Sequence, residues 1–243
     1  MLKLMKYEFR KTAFSKLILL CITMVVEIVY LLGVFLKKDN LLFIGIMLLT
    51  LCATAGILYI GLESINVLQR DLNTKQSYML FLTPRSSYQI LGAKILENGI
   101  SILLTGVFFA VLAVIDIAVG NYKELWDMLY RFLDMNMNMN ISIDPWVIAL
   151  NFFSALAGWI TCIVSADLAV ILSASVFAGK KASGIIAFII FIILTTLLGM
   201  GMDMLPELNS IELTLALDIA VSFLAAAIFY LISGWIMDKK LSV

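Results

Sequence analysis

The 243-residue chain carries no net formal charge, is 63% hydrophobic and only 14% charged, and contains no histidine. A soluble domain carries about a quarter charged residues, so this composition excludes an ordinary soluble fold, and neutrality leaves nucleic acid without support as a partner. The missing histidine excludes a His-dependent nucleophile and a His-ligated metal.

Apolar runs of twenty or more residues recur along the chain, as helices crossing a hydrocarbon core ~30 Å thick require. The fold class expected is all-α: a polytopic membrane protein of six transmembrane helices forming one permease-like domain over residues 1–243. The first segment, residues 1–16, reads "MLKLMKYEFRKTAFSK". Lys3, Lys6 and Arg10 fall at helical spacing with Leu2, Met5 and Phe9 beside them. That pattern predicts a cytosolic amphipathic helix lying at an anionic inner leaflet. The next apolar run, 17–36, contains Glu27 and exceeds the roughly 7–15 residues of a signal-peptide core, so it reads as a retained first span. The second span is expected over 41–68, projecting into the cytoplasm at its end, and the third over 95–119. The fourth, 146–178, is long enough to be tilted or broken near Gly158. The fifth and sixth are expected over 182–204 and 213–237. Cys21, Cys52 and Cys162 all fall inside these runs and read as small hydrophobes, with no disulfide or zinc spacing.

Lysines and arginines set the orientation. Thirteen lie on the side of the termini, in residues 1–16, the loop after the second span, the 179–183 turn and the tail. Four lie opposite: Lys37, Lys38, Lys123 and Arg131. The positive-inside rule puts both termini and residues 69–94 in the cytoplasm. The extracytoplasmic loop, residues 120–145, carries Leu125, Met128, Leu129, Phe132 and Leu133 as a helical stripe for the membrane surface or a partner. Its "MNMNMN" run offers thioethers that suit Cu(I), but no Cys or His joins them, and a bland loop is the better reading, with no metal expected.

No phosphate-binding loop is present: "AGKKAS" lacks the upstream glycine and the Ser or Thr directly after the first lysine. The chain is therefore not expected to be an enzyme. Acids inside apolar runs are functional candidates by default. Glu63, Asp116 and Asp218 lie near span ends, where solvation explains them. Glu27 and Asp167 lie deeper, and no Lys or Arg is expected at their depth, so a pathway role and a buried polar pair are equally open.

The segment "SYMLFLTPRSSYQILGAK", residues 77–94, is half apolar and broken by proline. Pro84 stops a helix, Ser86 or Ser87 can cap a new one running into the third span, and Tyr88 and Leu91 on one side with Ile90 and Lys94 on another make an amphipathic element suited to a groove on a cytosolic partner. Here "LTPRSSYQILGAKIL" and the opening "LMKYEFRKT" resemble permease subunits of bacterial type-2 ABC exporters. The resemblance implies that Leu82, Pro84, Arg85, Ser86, Tyr88, Ile90 and Lys94 belong to a coupling helix contacting a separate cytosolic ATP-binding subunit. It implies no cofactor in this chain, with ATP and Mg on that subunit. It implies a bacterial plasma-membrane location and a second permease chain, most simply an identical one. Polar residues of the second and fifth spans, Thr54, Asn66, Thr195 and Thr196, would line the substrate pathway. The 203–212 loop is shorter and less apolar than the re-entrant segment of many members, so the implied substrate follows the small peptide- and toxin-exporting permeases. The alternative from another class is an ATP-independent, proton-coupled carrier using Glu27 and Asp167. An internal repeat would favour it; the two halves share none that is evident.

Overall fold

The computed structural model describes residues 2–73, 86–119, 145–177, 183–206 and 210–241. Among these, every regular element is helical: α1 (Leu2–Phe35), α2 (Asp39–Asn73), α3 (Ser87–Val119), α4 (Pro145–Phe177), α5 (Ser183–Asp203) and α6 (Ile211–Ile236), followed by a π-helical turn, Met237–Leu241. All six helices are long and apolar enough to cross a membrane, which makes this a multi-pass membrane protein.

The helix ends follow from local chemistry. The three prolines punctuate the chain: Pro84 lies between α2 and α3, Pro145 is the first residue of α4, and Pro206 follows α5. Proline suits a first helical position, where its missing N–H has no intrahelical role. Ser86 caps α3, its Oγ accepting from the Gln89 amide at 3.4 Å. Ser210 caps α6 through the Leu213 amide at 3.3 Å. At the α1–α2 corner Lys37 has φ 51°, and two bonds close the turn, Lys38 N–H to Gly33 O (3.1 Å) and Lys37 N–H to Val34 O (3.2 Å). This is a Schellman cap with lysine where glycine is usual.

Two elements differ from the sequence expectation. The amphipathic start is not a separate interface helix: α1 runs unbroken for 34 residues, about 51 Å at 1.5 Å per residue. No proline or glycine occurs before Gly33 to interrupt it. Lys3, Lys6 and Arg10 are nevertheless exposed, and Leu4, Met5 and Phe9 are partly covered, as an amphipathic segment requires. The helix expected to start at Ser86 or Ser87 and run into the third span is present as α3, whose first turns are residues 88–94. The fourth span is not broken at Gly158, which lies in open space on an uninterrupted α4. The 120–144 stretch, expected from the sequence to be extracytoplasmic and including the methionine–asparagine run, lies outside the described residues.

The chain divides into two compact units. One comprises Phe9–Gly61 and Ile100–Ser142; the other comprises Met1–Glu8, Leu62–Gly99 and Ile143–Val243. In the first, α1 and α2 form a tight hairpin. A Cβ on Gly45 would stand 2.7 Å from the Tyr30 Cα, and one on Gly33 would stand 2.6 Å from the Leu42 nitrogen. Such close approach replaces the hydrophobic drive that lipid cannot supply between helices. In the second unit α4 is the best-enclosed helix: 61% of its apolar window is covered, against 6% for α5. It packs on α5 and α6. Small residues again permit the contact, with Thr161 of α4 meeting Ser222 of α6. The Thr161 hydroxyl shares its proton between the Ala157 carbonyl (2.8 Å) and the Ser222 carbonyl of α6 (2.9 Å). Leu68, Leu72, Leu91, Leu168, Ile171 and Met237 belong to its apolar core.

Burial is inverted relative to a soluble protein. Phe14, Leu17, Met24, Val25, Ile28 and Phe35 of α1 are exposed, while Glu8, Thr12, Thr23 and Glu27 are buried. The exposed side chains suit lipid, where apolar contact costs nothing and polar groups must find partners inside the protein.

Candidate functional site

The first turns of α3 are held from several directions within the second unit. Ser87, Ile90, Leu91, Lys94, Glu97 and Asn98 are all buried, and their spacing follows the i, i+3, i+4, i+7 rhythm of one helix face. The upper part of this stripe is apolar and joins the core; the lower part is polar. Lys94 is the pivot. Its Nζ donates to Asp71 Oδ2 at 2.7 Å and to Glu8 Oε2 at 3.0 Å, and all three side chains are nearly sealed from solvent. Asp71 lies in the last turn of α2 and Glu8 in the second turn of α1. One ammonium therefore ties the ends of three helices. Ion pairs this enclosed need both charges, because removing one strands the other.

On the other side, α6 grips the start of α3. The Tyr230 hydroxyl donates to the Tyr88 carbonyl at 2.7 Å, and the two rings meet edge to face with centroids 6.1 Å apart. The Tyr88 ring occupies the space a Cβ on Gly234 would need, so only glycine fits there without displacing it. From α4, the Trp159 indole N–H donates to Asn98 Oδ1 at 3.3 Å. Asp167, also on α4, is 1% exposed. Neither of its oxygens has a hydrogen-bond partner among the described residues, although the field of the Lys94 ammonium reaches it.

A second polar centre lies in the unit built from α1, α2 and α3. Glu27 is buried, and its carboxyl lies within hydrogen-bonding reach of that of Asp116. The Tyr30 hydroxyl donates to the Asp116 carbonyl at 2.8 Å. Among the described residues no lysine or arginine forms a salt bridge with either acid, and Glu27 Oε2 and Asp116 Oδ1 each lack a hydrogen-bond partner.

The residues expected from sequence are distributed as follows. Leu82, Pro84 and Arg85 lie outside the described residues. Ser86 is exposed and caps α3, Tyr88 is half-buried against α6, and Ile90 and Lys94 face the interior. Thr54, Asn66 and Thr196 are exposed and Thr195 half-buried. The threonines are not left without bonds: Thr54 donates to Thr50 O (3.0 Å) and Thr196 to Ile192 O (2.6 Å). Two sequence expectations are corrected. Asp167 does have a cation within electrostatic reach, Lys94, because α3 extends further than its apolar run. Asp116, read as a solvated end residue, meets Glu27, read as mid-span; unequal helix overhangs put them at one level.

Sequence reasoning missed Glu8 and Asp71 as partners of Lys94, and missed Glu97, Asn98 and Ser101 altogether. The latter had a signal: Lys94, Glu97, Asn98 and Ser101 fall at i, i+3, i+4 and i+7 at the head of an apolar run. Glu8 and Asp71 had none, since 86 and 23 positions separate them from Lys94.

Comparisons of the chain with protein-family models, curated proteins and solved structures found no match.

Proposed function

We propose that this chain is the membrane-spanning permease subunit of an ATP-driven exporter, paired with a second permease and coupled to a separate cytosolic ATP-binding subunit. The observation that carries the reading is the Lys94 tie. The segment that resembles a coupling helix, residues 77–94, ends at Lys94 in the second turn of α3, and Asp71 lies in the last turn of α2. Force applied to that segment by a partner would be passed to α1, α2 and α3 together, since one buried ammonium joins them. Buried Ile90 and Lys94 then act as the base of the handle, and contact with the ATP-binding subunit falls to Leu82, Pro84, Arg85, Ser86 and Tyr88. Six apolar helices with polar interiors support a transport role, and exposed Thr54, Asn66 and Thr196 are available to a second permease or a pathway. Amphipathic peptides are the substrate class the sequence likeness favours.

Pro84→Leu combined with Tyr88→Ala tests this reading. It should lower permease-dependent ATP hydrolysis at least several-fold while the chain stays in the membrane. Unchanged coupled hydrolysis would remove residues 77–94 as the handle.

One observation favours a second reading, a proton-coupled carrier: Glu27, Asp116 and Asp167 present enclosed carboxyl oxygens without hydrogen-bond partners. Uptake or efflux driven by an imposed pH gradient in vesicles holding this chain alone would establish it, and its absence would discard it.

A further inference from the structure

The Lys94 centre contains one more acid than its bonds use. Lys94 donates to Glu8 and Asp71, while Asp167 is 1% exposed with both oxygens unpartnered. An enclosed carboxyl left in this way is costly, and the same ammonium already acts on it across the gap. Lysine is suited to retargeting, being a compact charge with three donors on a flexible four-carbon stem. Its two acceptor sets lie on different elements: Glu8 and Asp71 at the ends of α1 and α2, Asp167 within α4. Two discrete arrangements of one contact are what a switching element needs.

We propose that Lys94 is an exchangeable tie, its ammonium passing between the Glu8–Asp71 pair and Asp167. The start of α3 is thereby fastened alternately to the ends of α1 and α2 and to α4, the helix that packs on both α5 and α6. The functional consequence rests on the permease reading: a force that the ATP-binding subunit applies at the start of α3 reaches α4 through this side chain. Lys94 and Asp167 are positioning residues in this scheme and touch no substrate.

The exchange itself is tested on the purified chain, without any partner, by thermal melts in mild detergent. Glu8→Gln with Asp71→Asn removes the observed acceptors. The tie predicts that this pair keeps most of the wild-type melting temperature, because Lys94 moves to Asp167. Adding Asp167→Asn then strands the ammonium and at least doubles the loss. If that third substitution adds nothing, or restores stability, Asp167 is no acceptor and the proposal falls. The consequence is tested on the assembly with its ATP-binding subunit. Asp167→Asn should lower permease-dependent hydrolysis about tenfold, equivalent to about 1.4 kcal/mol, and Asp167→Glu should recover part of it. A purely structural Asp167 would leave hydrolysis unchanged, and that result would overturn the switch. If no ATP-binding subunit accompanies any variant, the permease reading fails, and the melting series still decides the exchange.

Discussion

The two buried polar centres solve the same problem in opposite ways. At Lys94 a cation is matched to carboxylates at 2.7 and 3.0 Å, and the contact joins three helix ends. At Glu27 and Asp116 two acids meet with a tyrosine hydroxyl bonded to the adjoining backbone. The first arrangement depends on opposite charges and is intolerant of losing its one cation. The second has like groups, so removing a charge relieves it. The difference teaches that burial of a charged residue is not a single category in this protein: one centre is a structural joint, the other an adaptable polar contact.

Five substitutions sharpen or break that contrast. Lys94→Met should have the largest effect, a loss of about 3–5 kcal/mol, because Glu8 and Asp71 lose their shared cation; thermal unfolding in detergent reads it. A small loss would mean the two acids are solvated or neutral and the joint is not ionic. Gly45→Leu comes next, at about 1–3 kcal/mol, since its side chain must enter the Tyr30 backbone contact. A proximity label across the α1–α2 hairpin should report the separation, and an unchanged distance would contradict the close packing. Tyr30→Phe should cost about 1 kcal/mol for the lost bond to the Asp116 carbonyl. Glu27→Gln, by contrast, should be neutral or stabilising, since an amide can donate to Asp116; a loss as large as that of Lys94→Met would erase the distinction between the centres. The smallest effect is a gain: Lys37→Gly should stabilise by up to about 1 kcal/mol, as glycine adopts the left-handed cap without strain. The melting midpoint checks it, and a decrease would show that the Lys37 side chain contributes something the cap geometry does not.

Much of the architecture was legible because lipid imposes a simple rule on the chain. Long apolar runs located all six helices, and Pro145 and Pro206 fell where helices begin or stop. Glu27, Asp167 and Lys94 stood out as polar residues in or beside those runs. The helix limits were less legible for a physical reason: a helix continues past its apolar stretch when polar residues have partners in the protein. Thus α1 runs unbroken through its polar start, since Glu8 is held by Lys94, whereas the start of α3 was legible from its serine cap. Hydropathy sees the cost of such residues in lipid and cannot see the partner that removes it. The same limit hid the meeting of Glu27 and Asp116, whose depths depend on how far each helix overhangs.

The measurement that bears most directly on the central claim is purification of the chain from its native membranes in mild detergent, with mass spectrometry of what remains bound. The account predicts a stoichiometric ATP-binding protein, retained by the wild-type chain and lost when residues 77–86 are replaced. A chain that emerges alone across several detergents, yet moves a solute under a pH gradient, would contradict it.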